Sequence, residues 1–185
     1  MSAVKWNSPN DRSQPDGILM ARVAQGETAA LGSLYDRYAP ALLRFAYRLE
    51  RQEAEDIVQT VFIRVLTLAA NFDVHTASAR PWLFAITARV AMERRRSLRR
   101  WKAALMRLSL QPLGAAAQIA ETRRDLAFGL ARLSTAKRTV LVLAEVEGFA
   151  CEEIAKMLEI PVGTVWTRLH HARRELRGYQ ENDES

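Results

Sequence analysis

"EEIAKMLEIPVGTVWTRLHHARREL", residues 152–176, decides how the C-terminal part of the chain folds. Ile154 and Leu158 stand four apart. Val165, Leu169, Ala172 and Leu176 follow at steps of 4, 3 and 4. Each set makes one apolar stripe on a helix of 3.6 residues per turn. "EIPVG" interrupts them: Pro161 fixes φ and Gly163 permits a tight turn. The segment therefore predicts a helix-turn-helix. Its stripes should pack on each other and on the helices of "LARLSTAKRTVLVLAEV" (130–146). Thr164, Trp166, Thr167, Arg168, His170, His171, Arg173 and Arg174 are left outward on the second helix. Such a helix fits the major groove. Arginine and histidine donate to phosphates and guanine edges, and threonine reaches a base or its methyl group. A basic surface helix in a bundle is the competing reading, and the pattern favours DNA.

Upstream the pattern stays helical from Ile18, and no run shows clean period-2 alternation. A first helix is predicted at about 18–25, ending at Gly26. A second runs from Thr28 into the forties, with Leu31, Leu34, Tyr35 and Tyr38 on one face and Pro40 bending or restarting it. A third starts near Gln52, with Ile57, Val61, Val65 and Leu66 apolar and Asp56, Gln59 and Arg64 between them. "NFDVHTASARP" (71–81) reads as a loop. A fourth helix, about 81–100, opens on Pro81 at a tolerated first-turn position. Further helices are expected at about 122–133, 135–147, 150–158 and 162–178.

The expected fold is all-α, two small helical domains at 18–102 and 122–178. A linker at 103–121, a disordered tail at 1–17 and a frayed acidic tail at 179–185 complete it. The chain has 185 residues, about half of them apolar, enough for two small cores. Its net charge of +6 favours a polyanionic partner. One cysteine, Cys151, permits no intramolecular disulfide and fits a reducing, cytoplasmic setting. The first 17 residues hold no apolar run of a signal peptide, and nothing reaches the ~18 apolar residues of a membrane span. No membrane insertion, small-molecule substrate or cofactor is expected. His170 and His171 are adjacent and do not converge on one metal from a helix face, and His75 is distant, so no metal site is expected. An enzyme acting on nucleic acid would need a Gly-rich phosphate loop, an acidic metal cluster or a nucleophile–base pair, and none is visible.

Two readings stay open for the fourth helix. Arg94, Arg95, Arg96, Arg99, Arg100 and Lys102 crowd its end. Beside a duplex they would contact phosphates and make binding steeply salt-dependent. Trp82 upstream could stack on an unpaired base. Alternatively Trp82 is core and the arginines complement the helix C-terminus.

Taken together, "EAEDIVQTVFIRVL" (53–66), "FDVHTASARPWLFAI" (72–86) and 130–176 resemble the extracytoplasmic-function (ECF) group of the sigma-70 family of bacterial RNA polymerase sigma factors. The resemblance spans about 18–178, in order and at the right spacing. It implies a sigma-2-like domain that binds the clamp of core RNA polymerase and opens the −10 element. It also implies a sigma-4-like domain that reads the −35 element and binds the flap, and an anti-sigma partner. Carried over, Asp56, Gln59, Thr60, Ile63 and Arg64 would bind polymerase, with Phe62 packing instead. His75, Trp82, Arg89, Arg94, Arg95, Arg96, Arg99 and Arg100 would serve −10 DNA. Thr164, Trp166, Thr167, Arg168, His170, His171 and Arg174 would serve −35 DNA, with Val165 and Leu169 as core.

Some positions depart from the family pattern. Thr60 stands where an acid is usual. Ala85, Ala88 and Arg89 replace Arg, Arg and Asn. Trp166 replaces Lys or Arg, and His171 replaces a common Arg. The expected linker lacks the acidic character of relatives. A helix-turn-helix regulator working without polymerase is the alternative; it would not need the 53–66 stretch.

Overall fold

The computed structural model describes residues 14–108 and 126–181, with side chains described for 14–101 and 129–178. The described residues are helical, with no strand among them. The chain divides into two compact units, residues 1–90 and 91–185. The helices are α1 (Asp16–Ala24), α2 (Thr28–Leu49), α3 (Ala54–Leu68), α4 (Arg80–Leu108), α5 (Leu126–Arg132), α6 (Thr135–Leu141), α7 (Cys151–Leu158) and α8 (Val162–Glu181). The division falls inside α4, between Val90 and Ala91.

In the first unit, α1 ends where Gly26 takes φ +87°, and its N–H bonds the Val23 carbonyl at 2.9 Å. That left-handed turn suits glycine. On α2, Leu34, Tyr38, Leu42, Phe45 and Leu49 step by four, four, three and four, and all are buried. Ile57, Val61 and Val65 of α3 oppose them as a second buried stripe. Leu83, Phe84, Ile86 and Val90 of α4 close the core, with Phe84 and Phe45 ring centroids 5.0 Å apart. Burying side chains of this size contributes about 1.5–3 kcal/mol each before entropy is subtracted.

Several expectations change here. Pro40 does not restart α2, which runs 22 residues through it. Proline forfeits one backbone hydrogen bond, while the buried stripe continues on both sides. Leu66, grouped with the apolar positions of α3, is 46% exposed, and Tyr35 is 47% exposed, its ring resting on Phe62 at 4.8 Å. Residues 14–17 belong to the folded unit rather than to a tail, and Asp16 and Gly17 are buried. Helix α4 continues to Leu108, past the expected linker start at 103. Expected linker residues 109–121, with 1–13, 122–125 and 182–185, lie outside the described residues.

In the second unit Ser134 caps α6, its Oγ accepting from the Lys137 N–H at 3.4 Å. Arg138, 5% exposed, donates to the carbonyls of Ala131 and Leu133 at 2.8 and 3.1 Å. It satisfies acceptors that the end of α5 leaves open. Helix α6 widens into a π-helical turn, Val142–Val146, and Gly148 at φ +74° turns the chain toward α7. Glu153 accepts from the Ala150 N–H at 2.9 Å at the start of α7. The turn between α7 and α8 differs from its reading in sequence. Its left-handed residue is Glu159, φ 55°, and the Ile160 N–H reaches back to the Ala155 carbonyl at 3.1 Å. Gly163 lies inside the first turn of α8. Pro161 stands just ahead, its carbonyl accepting from Thr164 N–H at 2.9 Å. The C-terminal closure of α7 carries the reversal, so the glycine is not needed for it. Ile154, Val165, Leu169 and Ala172 form the buried seam.

Replacing Arg138 by Ala removes two charge-assisted hydrogen bonds at a buried site. Arg138→Ala is expected to lower the unfolding free energy by about 3 kcal/mol. Arg177→Ala, on the exposed side of α8, should cost less than about 0.5 kcal/mol. Urea denaturation followed by circular dichroism separates the two; equal losses would show that the buried guanidinium is dispensable.

Candidate nucleic-acid interface

Residues 72–79 form the longest break between helices in the first unit. Phe72 is buried at its start and meets Trp82 edge-on, ring centroids 5.4 Å apart. The Asp73 Oδ1 accepts from the His75 N–H at 3.0 Å, and the Thr76 N–H bonds the Asp73 carbonyl at 3.0 Å. This side-chain turn shapes the tip. His75, Thr76 and Ala77 are exposed. Ser78 Oγ accepts from the Arg80 N–H at 3.1 Å where α4 starts. The half-buried Trp82 thus sits at the foot of an exposed loop, both packed and partly open.

The loop is held by residues that reading the sequence left in a tail. Asp16, 5% exposed, accepts from the Ala79 N–H at 2.7 Å and from the Tyr38 hydroxyl, and it pairs with Arg37. Tyr38 Oη also meets Ser78 Oγ at 3.2 Å, and Arg37 donates to the Gln14 carbonyl at 2.9 Å. Burial pushes the Asp16 carboxyl up, but the bonds from Tyr38, Ala79 and Arg37 outweigh it and hold the group below its ordinary value. Burial, then donation to Asp16, raises Tyr38. A Cβ on Gly17 would stand 2.1 Å from the Val74 carbonyl oxygen, so the loop backbone lies directly on α1. The "PDG" of 15–17 has turn-like composition, and only these contacts, distant in sequence, show its use.

Along α4, helical spacing puts Trp82, Arg89, Arg96 and Arg100 on one stripe, with Glu93 among them. Arg89, Arg94 and Arg95 are half-buried; Arg96, Arg99 and Arg100 are exposed. Ala85 and Ala88 are 6% and 0% exposed, so these departures from the family pattern face the core.

On α3, Asp56, Gln59 and Ile63 fall on one exposed face, Ile63 at 63%. Thr60 and Arg64 are half-buried, and the Thr60 hydroxyl donates to the Asp56 carbonyl at 2.7 Å. Beside this face runs a groove of about 840 Å³ lined by residues of α2 and α3, among them Tyr35, Pro40, Leu43, Val58 and Gln59. Leu43 is 38% exposed. The exposed apolar residues Tyr35, Leu43 and Leu66 add to this surface. Period counting alone could not separate them from core.

In the second unit α8 presents Trp166, 57% exposed, with Thr167, His170 and Arg174 also exposed. Thr164, Arg168 and His171 are half-buried, and the His170 and His171 rings lie 5.7 Å apart. Thr167 donates its hydroxyl proton to the Gly163 carbonyl at 2.8 Å, which leaves its oxygen as acceptor. Arg173 is directed elsewhere. Its Nε donates to Glu145 at 3.0 Å, and it forms an ion pair there. Lys137 pairs with Glu175. Cys151 is a free, half-buried thiol. Among the described residues no His, Cys, Asp or Glu cluster could hold a metal, and no helix is long and apolar enough to cross a membrane.

Comparison with known proteins places this geometry. The family model for Sigma-70 region 2 matches residues 34–101, and that for Sigma-70, region 4 matches residues 123–176. The ECF RNA polymerase sigma factor SigL of Mycobacterium tuberculosis is 34% identical, covering 85% of this chain and 94% of SigL. SigE of Mycolicibacterium smegmatis, also an ECF sigma factor, is 31% identical over 94% of this chain and 70% of its own. Among solved structures, CnrH in complex with the cytosolic domain of CnrY superposes with a TM-score of 0.65 at 28% identity, covering 91% of this chain and 98% of CnrH. The sigma factor RpoE in complex with the anti-sigma factor NepR from Bartonella quintana gives 0.63 at 25% identity, covering 77% and 91%. The fold is that of a sigma-70-type protein. The chain belongs to the sigma-70 family, in its ECF group.

Because the folded-state pKa of Asp16 lies below the ~3.9 of an unfolded aspartate, its contribution is fully present above about pH 5. It is lost as pH falls through the folded value. Acid unfolding of wild type and Asp16→Asn, compared by circular dichroism, should show their stability difference shrinking toward pH 3. A difference constant from pH 7 to 3 would contradict an ionised, bonded Asp16.

Proposed function

We propose that the protein works as an ECF-type sigma factor: it binds core RNA polymerase, recognises a promoter and helps open it. The observation that carries this reading is the pairing, in one chain, of a region-2 unit bearing an exposed α3 face with a region-4 helix-turn-helix. A regulator acting without polymerase would have no use for the α3 face.

In this reading the face with Asp56, Gln59 and Ile63 docks on the polymerase clamp, with Thr60 and Arg64 at its edge. The 72–79 loop and Trp82 capture an unpaired base of the −10 element. The arginines from Arg89 to Arg100 hold the backbone. Such capture offsets the few kcal/mol of unstacking. Helix α8 reads −35 duplex through Thr164, Trp166, Thr167, Arg168, His170, His171 and Arg174, while α6–α8 meet the flap. Neither unit needs high affinity alone, because polymerase tethers both. No covalent step is required, so the protein is not an enzyme by itself, and its work is cytoplasmic. An anti-sigma factor is the natural negative partner; the complex of the sigma factor RpoE with the anti-sigma factor NepR supports it.

Two substitutions test the reading. Asp56→Arg reverses charge on the clamp face and should weaken co-elution with core polymerase at least about tenfold. Arg168→Ala should weaken promoter binding by about 1–3 kcal/mol if the guanidinium meets a base. It should lower the salt slope by about one if it meets a phosphate. Unchanged co-elution, or promoter occupancy and salt slope both unchanged, would remove the corresponding assignment.

A further inference from the structure

We propose that Asp16 and Gly17 are positioning residues for promoter recognition: they pin the 72–79 loop at both ends and so fix the shape in which it meets DNA. The inference rests on the reading of that loop as the −10 element's capture site. Both residues lie upstream of the Sigma-70 region 2 match, which begins at residue 34.

The geometry separates this role from ordinary helix capping. An aspartate in the first turn of a helix usually accepts from that helix's own free N–H groups. The start of α1 has no side-chain cap of this kind. The Asp16 carboxylate instead reaches across to the last loop residue, bonding the Ala79 N–H at 2.7 Å. Tyr38 braces the same end, its hydroxyl donating to Asp16 and lying 3.2 Å from Ser78 Oγ. Arg37 neutralises the carboxylate. A buried carboxylate is tolerable only with such partners, so the cluster has one low-energy arrangement, and that arrangement sets where Ala79 lies.

The other pin is steric. The ideal Cβ position of Gly17 is 2.1 Å from the Val74 oxygen and 3.1 Å from its carbonyl carbon. Both are backbone atoms, so a side chain there has to displace the loop itself. Between the pins stand His75, Thr76 and Ala77, all exposed. The Asp73 turn shapes this tip, and Phe72 and Trp82 close its foot. An exposed segment pinned on both sides is ordered before it meets a ligand. Its ordering entropy is then not subtracted from binding, and it rejects bases that do not fit the preset shape.

The test uses the full chain with core polymerase and three variants: Asp16→Ala and Tyr38→Phe remove bonds at one pin, and Gly17→Ala adds a methyl at the other. Hydrogen exchange of the free protein is read first. The Ala79 amide should exchange at least about tenfold faster in Asp16→Ala, with core amides of α2 and α3 still protected. Promoter opening is read next, on duplexes carrying 2-aminopurine in the −10 region. These are taken from the wild-type protein's own transcript starts and differ by single −10 bases. The ratio between best and mismatched sequences does not depend on the fraction of protein folded. It should fall about tenfold toward unity in Asp16→Ala and Gly17→Ala, and less in Tyr38→Phe, with core co-elution retained. Opening that drops by one common factor on every sequence would overturn the inference, leaving only a stabilising role. An Ala79 amide as protected in Asp16→Ala as in wild type would overturn the pin itself. If wild type opens no promoter while Ala79 responds as expected, the pin stands, and the reading of the loop as a capture site falls, taking the recognition role with it.

Discussion

A buried carboxylate organises the first unit. Helices satisfy their own backbone groups, so an all-helical chain has few irregular segments in which to place a recognition surface. The 72–79 loop is the longest of these in the unit, and its last N–H is met by Asp16. Without that acceptor a buried donor would be orphaned, at about 1–3 kcal/mol. Were the loop elsewhere, the same carboxylate would keep Tyr38 and Arg37 and lose the Ala79 N–H as a donor. Helix α1, the middle of α2 and the loop thus share one polar centre.

The second unit uses comparable physics on a smaller scale. Arg138 lies buried under the carbonyls of Ala131 and Leu133 and fixes how α5 leads into α6. Ion pairs from Arg173 to Glu145 and from Lys137 to Glu175 fasten α8 to the segment before it. Exposed pairs of this kind contribute little energy. Their consequence is orientation: Arg173, itself exposed, is held against Glu145, and Trp166, Thr167, His170 and Arg174 remain outward.

Much of this was legible in the sequence, for reasons that differ by element. The stripes of α3, α7 and α8 follow simple steps, so Ile57, Val61, Val65, Ile154, Val165, Leu169 and Ala172 could be counted as buried, while Leu158 and Leu176 at the stripe ends are half-buried and Met157 joins the core. Pro40 does not restart α2, because the buried stripe continues on both sides of it. Gly163 drew attention as the flexible residue, but Glu159 takes the left-handed position. Leu66 and Tyr35 fit a helical period yet lie at the edge of their stripes, where a rotation of one residue separates core from surface. Asp16 and Gly17 were assigned to a tail because polar residues and glycine near a terminus resemble solvated chain. Their partners, Val74 and Ala79, lie far along the sequence, and no local pattern encodes that contact. The exposed faces of α3 and α8 followed from residue types; the contacts that hold the 72–79 loop did not.

The most direct measurement is run-off transcription. Purified protein is added to sigma-free core polymerase on fragmented genomic DNA of the source organism, and the transcript starts are sequenced. Discrete new starts sharing two upstream elements are expected, at a spacing that one protein with two DNA-reading units can span. No protein-dependent starts, together with no co-elution with core polymerase, would contradict the assignment and leave a helix-turn-helix protein that binds DNA on its own.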